Sequence, residues 1–325
     1  MNVLITGATG FVGNALVNRL LANDVNVLAW VRKESRNLPD SVQQAVIGDL
    51  SVLDQTSLAL KHIAFEGLET VIHTAARVHV MNDDASDPLE RFRKVNRDAT
   101  LFLARIAADS GVKRFVFLSS IGVNGNNSLK PFTEQSELAP HDLYAISKLE
   151  AEQGLLALAL ETGMEVVIIR PPLVYGFNAP GNFGNLVKWM SKNIPLPFGA
   201  IHNQRSLVAL DNLVDFIALC ADREKSPKAA NEVFLISDNE DVSTSQLLRK
   251  VAKAQKSQIW LIPVPVGLMA FAARLLGKRA LANRLFGSLQ VDSSKARDLL
   301  GWKPVVTMDE QLEKMAKALV NEKSI

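Results

Sequence analysis

The chain has 325 residues, of which 48% are hydrophobic and 22% charged, a balance that excludes a disordered or collagen-like polymer. A formal net charge of only +2 excludes a global field that gathers nucleic acid, so an anionic ligand must be held by local arrangement. One cysteine, Cys220, excludes an intrachain disulfide and fits a reducing compartment.

A strand is predicted over Asn2–Thr6, which leaves no room for a signal peptide ahead of it. Directly after it comes Gly7-Ala8-Thr9-Gly10-Phe11-Val12-Gly13, opening a helix over Phe11–Asn23. Glycines at 7, 10 and 13 permit a tight turn and let the backbone approach a pyrophosphate. The helix start, with Phe11 and Val12, then offers unpaired N–H donors and a partial positive charge.

The second strand, Val25–Val31, runs into Arg32-Lys33, with no carboxylate until Glu34. An acid there would grip a ribose 2′-hydroxyl, whereas Arg32 accommodates a 2′-phosphate, so NADP is favoured over NAD. The competing reading is a pair of solvated loop cations. After the third strand, Gln44–Ile47, Asp49 of Gly48-Asp49-Leu50 is placed to accept from an adenine amino group. Helix capping is the alternative, for which Asp54 or Ser57 is better placed.

Strands over Thr70–Thr74, Phe115–Ser119 and Glu165–Ile169 alternate with helices over Pro88–Asp109 and Tyr144–Thr162. This alternation builds an α/β fold of the Rossmann type, a doubly wound parallel sheet with helices on both faces. Ligands bind beyond the C-terminal strand ends, where Thr6, Thr74 and Ser119-Ser120 fall.

After Arg170 the pairs Pro171-Pro172 and Pro180-Gly181 and the run Pro195-Leu196-Pro197 break regular structure. We expect residues 1–170 to form the dinucleotide-binding domain and 171–325 a smaller substrate-binding domain. The border is ragged, with parts of 205–240 packing back on the first domain. The apolar stretch Trp260–Gly277 holds Pro263, Pro265 and Arg274, so it reads as a buried or docking helix after a turn rather than a membrane span. A soluble cytoplasmic protein without a membrane partner is expected.

Tyr144 and Lys148 are four apart in a helical pattern and share one face. A free phenol, with a pKa of about 10, is a poor base at neutral pH, and a nearby ammonium favours its phenolate. So tuned, Tyr144 can exchange a proton at a carbonyl oxygen while hydride moves at carbon. Ser120 can donate a second hydrogen bond to that oxygen, and Lys148 can also hold the nicotinamide ribose. The serine pair precedes Tyr144 within the expected sheet order. The five histidines show neither metal spacing nor a partner nucleophile, so no metal site is expected. His73 reads as a strand residue under the cofactor loop and His141 as part of a helix start. Arg77 and His79 are further candidates for substrate contact.

These segments together resemble the extended short-chain dehydrogenase/reductases of the nucleotide-sugar epimerase/dehydratase group. The likeness runs through Thr6–Gly13, Asp49-Leu50, His73–Ala76, Val95-Asn96, Ser119-Ser120, Tyr144/Lys148 and Arg170–Gly176. The resemblance implies that Ser120 rather than Ser119 is catalytic. It implies that Thr74, Ala75, Ala76, Leu50 and Pro171 line the cofactor and that Asn96 supports the lysine region. Where relatives often have tyrosine, this chain has Asn124, a change that bears on the sugar pocket.

The resemblance also implies a UDP-sugar substrate. Arg205 is similar to the family arginine that pairs with the diphosphate, and a guanidinium fork matches phosphate geometry. Asn182 would open a helix facing phosphate, Phe198 belongs to a segment similar to the uracil shelter, and Arg284 is a looser second phosphate ligand. The leading expectation is an NADPH-dependent reductase of the C4 ketone of a UDP-4-keto-6-deoxy-N-acetylhexosamine for surface polysaccharides. A UDP-sugar 4-epimerase is the alternative, and a non-catalytic NADP-sensing regulator a third reading. Steroid and flavonoid reductases share the Tyr/Lys pair without needing a diphosphate arginine. A homodimer through Pro88–Asp109 and Tyr144–Thr162 is implied.

Overall fold

The computed structural model describes residues 1–52, 65–78, 87–190, 195–277 and 279–322. Seven parallel strands form its main sheet, in the order β3-β2-β1-β4-β5-β6-β9. They are β1 (Asn2–Thr6), β2 (Asn26–Val31), β3 (Gln43–Val46), β4 (Thr70–His73), β5 (Arg114–Leu118), β6 (Glu165–Arg170) and β9 (Val233–Leu235). The strand order reverses between β1 and β4, where the register pairs Thr6 with His73. Crossovers leave a crevice at such a reversal, and a ligand can enter there.

Val, Ile and Leu fill the strands because both faces are covered. On one face, α1 (Phe11–Leu21) buries Leu16, Val17 and Leu20 at helical spacing beside α6 (Leu210–Ala221). On the other face lie α3 (Ala99–Asp109) and α4 (Leu143–Thr162). Asp142 caps α4 by accepting from the Ala145 N–H at 2.8 Å, and Gly163, at φ 75°, ends it in the left-handed conformation.

The helix expected over Pro88–Asp109 is present but not uniform. Asp87 caps α2 (Pro88–Arg93), a π turn covers Lys94–Asp98, and α3 continues. The Ala99 N–H donates to Lys94, five residues back, so one extra residue is accommodated there.

β9 lies against β6, and α6 is tied to β5 by Arg114. That fully buried guanidinium pairs with Glu165 at 2.7 Å and donates to the Cys220 carbonyl and Ser226. A second sheet, β10-β8-β7, joins β7 (Leu173–Tyr175), β8 (Arg205–Ala209) and β10 (Asp241–Val242). Around it lie α5 (Gly181–Met190), α7 (Thr244–Ala254), α8 (Val266–Leu275), α9 (Arg279–Phe286), α10 (Ser294–Leu300) and α11 (Met308–Glu322). Of the two forms read for Trp260–Gly277, the buried one is excluded, since α8 contains no buried residue. Among the described residues no helix is long and apolar enough to cross a membrane.

Candidate active site

The glycine turn is tight for steric reasons. A Cβ on Gly13 would lie 2.1 Å from the Gly7 carbonyl oxygen, and one on Gly7 would lie 2.6 Å from the Ala75 nitrogen. Gly7 also has φ 75°, which disfavours any side chain. Gly10 sits at the start of α1 and no side chain caps that start, which leaves its first N–H groups open to an anion. This cradle fits a pyrophosphate.

His73 and Asn96 hold the wall beside it. Thr6 Oγ1 lies 2.6 Å from His73 Nδ1, and Thr100 Oγ1 lies 2.9 Å from Nε2 while donating to the Asn96 carbonyl. The Thr100 proton is thus committed, so Nε2–H donates to Thr100 and Nδ1 accepts from Thr6. Burial pulls His73 down to about 3, with the Lys148 ammonium adding to the effect, so the ring is neutral. Asn96, in the π turn, accepts from the Arg77 N–H at 2.8 Å and donates to the Arg77 carbonyl and Ser147 Oγ, each at 3.0 Å. One buried amide therefore joins the loop after β4 to the helix of Tyr144 and Lys148. His79 lies outside the described residues.

Ser120 follows β5, and its Oγ accepts from the Gly122 N–H at 3.1 Å, a bond that does not use its proton. Lys148 is buried, with Nζ 3.9 Å from the centroid of the Phe117 ring. Burial lowers its pKa to about 7, against the opposing pull of Glu152. The phenol of Tyr144 departs from the sequence expectation. Burial, helped by the Asp142 carboxylate, pushes its pKa up. Both effects have one cause, since a low-dielectric site disfavours each charged form. Tyr144 is therefore held as a protonated donor.

A buried ionic network beneath this trio was missed by the sequence reading. Glu152 accepts a fork from Arg170, at 2.6 Å from Nη2 and 3.0 Å from Nε, and also accepts from Ser119 Oγ. Arg170 Nη1 donates to Asn124 Oδ1 at 3.1 Å. Ser119 is thus committed to the network, and Asn124 is buried against Arg170. The readable signal was the four-residue step Tyr144, Lys148, Glu152 along one helix. Asp142 was also missed; it accepts from Ala145, and its Oδ2 lies 3.8 Å from Arg284 Nη2.

At the far end of the crevice Arg32 is exposed, and its charge helps hold the Asp49 carboxyl below its usual range, after the dominant effect of hydrogen bonds from Ser51. Asp49 Oδ1 accepts from Ser51 N–H and Oγ at 2.9 and 2.8 Å, so Asp49 starts the short turn at Leu50–Val52. Capping of the local turn therefore engages one oxygen of the residue read as an adenine acceptor. Asp54 and Ser57 lie outside the described residues. The Pro171 carbonyl accepts from the Ile121 N–H at 3.0 Å, closing the β6 end onto the turn after Ser120.

On the substrate side Arg205 and Arg284 line one pocket with Leu173, Leu207 and Ser243. Arg205 Nη1 donates to the carbonyls of Arg284 and Gly287, both at 2.9 Å, and burial lowers its pKa. Phe198 does not line that pocket. Its ring stacks on Trp189 at 6.3 Å within the core of the smaller sheet. Asn182 falls in the first turn of α5, and its side chain lies outside the described atoms. Among the described residues no His/Cys/Asp/Glu group could hold a metal.

Residues 3–236 match the model of the NAD dependent epimerase/dehydratase family. The chain belongs to that family. Its fold is that of the extended short-chain dehydrogenase/reductases, and it is an enzyme of that type. It is 44% identical over 322 residues to a UDP-glucose 4-epimerase of Vibrio cholerae, covering 98% of this chain and 95% of that one. It is 31% identical over 275 residues to an N-acetyl-alpha-D-glucosaminyl-diphospho-ditrans,octacis-undecaprenol 4-epimerase of Escherichia coli O157:H7, covering 82% and 77%. The structure of UDP-glucose 4-epimerase from Thermotoga maritima with UDP-glucose superposes with a TM-score of 0.78, at 23% identity over 99% of this chain and all of that one. At that identity the likeness speaks for the fold.

Proposed function

We propose that this family member transfers hydride at C4 of a UDP-linked hexose or hexosamine. What supports the reading is that the turn opened by Ser120 packs on α4, which carries Tyr144 and Lys148 one helical turn apart, in a chain whose β1 runs into an uncapped glycine turn. In this reading residues 1–170 hold the dinucleotide. Residues 171–325 hold the sugar nucleotide, with part of 205–240 returned to the first sheet.

Gly7, Gly10, Phe11, Val12 and Gly13 would hold the pyrophosphate, Arg32, Asp49 and Leu50 the adenosine, and Thr74–Ala76, Asn96, Lys148 and Pro171 the nicotinamide riboside. When bound, the nicotinamide gives or takes the hydride. Ser120 and Tyr144 hydrogen-bond the C4 oxygen, which fixes the carbonyl plane. Tyr144, kept protonated by burial, donates its proton to the developing alkoxide. Lys148, with a pKa near 7, can return a proton toward the phenol and hold the ribose. Arg205 and Arg284 supply the cationic wall for the diphosphate.

Arg32, where an acid would favour NAD, supports NADPH and thus a 4-ketoreductase acting on a UDP-4-keto-6-deoxy-N-acetylhexosamine. The 44% identity to a UDP-glucose 4-epimerase favours the second reading, a 4-epimerase that keeps NAD and needs no external reductant. To separate them, nucleotide is released from the purified protein, and the UDP-4-keto sugar is offered with NADPH. Stoichiometric bound NAD and C4 interconversion of UDP-sugars without reductant would establish the epimerase instead. A homodimer through α2–α3 and α4 is part of this reading, supported by Leu160 standing exposed on α4.

A further inference from the structure

Trp260, Ile262, Leu268, Phe271, Leu275 and Leu276 are each between 49% and 73% exposed. Leu268, Phe271 and Leu275 fall at helical spacing on α8 and form one apolar stripe. The stripe is firmly placed. Leu196 N–H donates to the Trp260 carbonyl at 2.8 Å, and Ile262 N–H donates back to the Leu196 carbonyl at 2.9 Å. Gly199 N–H donates to the Ile262 carbonyl at 2.9 Å, while Val266 and Met269 pack on the core of the smaller sheet. A contiguous apolar surface of this kind marks an interaction site.

The charge that flanks this stretch in the sequence says what it meets. Between Val242 and Val291 the sequence has eight Lys/Arg and no Asp or Glu, in a chain whose formal net charge is only +2. Arg249, Lys253 and Lys256 are exposed along one side of α7 and its end, and Arg274 is exposed on α8. None of these four forms a close ion pair among the described residues, although the charge of Lys253 is felt by Asp309, whereas Lys250 is taken up directly by Glu240 and Asp309. A second copy presenting the same face would set cation against cation, which disfavours a self-complementary interface. An anionic bilayer satisfies both features, taking the Trp, Phe and Leu side chains into its interfacial region and the cations among its headgroups.

We infer that α8, with the Trp260–Pro265 segment before it, is an interfacial anchor that lays the smaller lobe on an anionic lipid surface. The helix lies on the membrane and does not cross it, in keeping with the lack of a spanning helix among the described residues. α9, which packs on α8, carries Arg284 of the substrate pocket, so docking would bring that pocket close to the headgroup layer. The inference rests on the surface alone and stands whichever C4 reaction the enzyme performs.

Flotation of the full-length protein with vesicles tests this. It should rise with phosphatidylglycerol/phosphatidylcholine vesicles, stay behind with pure phosphatidylcholine, and be released by high salt. Leu268→Glu/Phe271→Glu should weaken vesicle binding by about tenfold or more, while the melting temperature and dinucleotide binding stay unchanged. Should that variant not fold, Arg249→Glu/Lys253→Glu gives the same reading through charge alone. Failure to float with anionic vesicles would overturn the proposal, as would flotation indifferent to both variants. So would light scattering that shows the stripe joining two copies, or capture of a protein partner without lipid binding.

Discussion

Arg284, on a helix of the smaller lobe, reaches to 3.8 Å from Asp142, the residue that caps the helix of Tyr144. One carboxylate thus faces a substrate-side cation, holds the first turn of α4 and raises the phenol's pKa. These three roles separate by substitution. Asp142→Asn keeps a capping oxygen and removes the charge, so the phenol should ionise at lower pH with little loss of stability. Asp142→Ala should shift the phenol likewise and also cost about 1 kcal/mol through the lost cap. Ultraviolet difference titration reads the phenol directly, since the chain has only two tyrosines, Tyr144 and Tyr175.

Tyr144→Phe removes the proton donor but little volume. Turnover should fall by about 10²- to 10⁴-fold with dinucleotide affinity kept, as measured by steady-state kinetics and calorimetric titration. Unchanged behaviour in the cell with a silent active site would point to a sensor.

The lowered pKa of Lys148 carries a stability signature. Unfolded, the lysine holds its proton up to its ordinary value of 10.5, whereas folded it gives it up near 7. Between those values the unfolded chain binds more protons, so this residue makes stability rise with pH, by at most about 1.4 kcal/mol per unit. Lys148→Met should flatten that rise in denaturant melts of the ligand-free protein between pH 7 and 10. An unchanged slope would show that the lysine stays charged.

Glu152 and Arg170 are both almost fully buried. Removing one partner strands the other charge, so Glu152→Gln should cost about 3–5 kcal/mol, read from the urea midpoint. Replacing both by apolar residues of similar size should cost less.

Arg32→Asp tests the ribose end. Its exposed position predicts little change in stability, whereas the preference between NADPH and NADH should move toward NADH, read as the ratio of kcat/KM values. A protein indifferent to this change would not use Arg32 for the cofactor.

The main sheet was legible because each strand and helix repeats its own period in the sequence, and the Thr6–Gly13 turn announces itself through glycine. The positions of Ser120, Tyr144 and Lys148 on their elements followed from the same periods. What escaped were features set by distant partners. Glu152 reads as an ordinary polar helix residue until Arg170, on the next strand, folds against it. The direction of the Tyr144 shift depends on burial, which no spacing reveals. Phe198 is placed by resemblance in a nucleotide shelter, and no spacing foretells that its ring stacks on Trp189. Trp260–Gly277 left two alternatives open, because composition tells that a helix is apolar but not whether anything covers it.

The extra residue in the π turn at Lys94–Asp98 has a consequence for how this chain can vary. Deleting one residue there would restore an ordinary helix and leave the apolar side of α3 facing the sheet. It would also turn Asn96 away from both Arg77 and Ser147. A shortened chain should therefore fold at nearly full strength while its catalytic helix comes unmoored from the β4 loop.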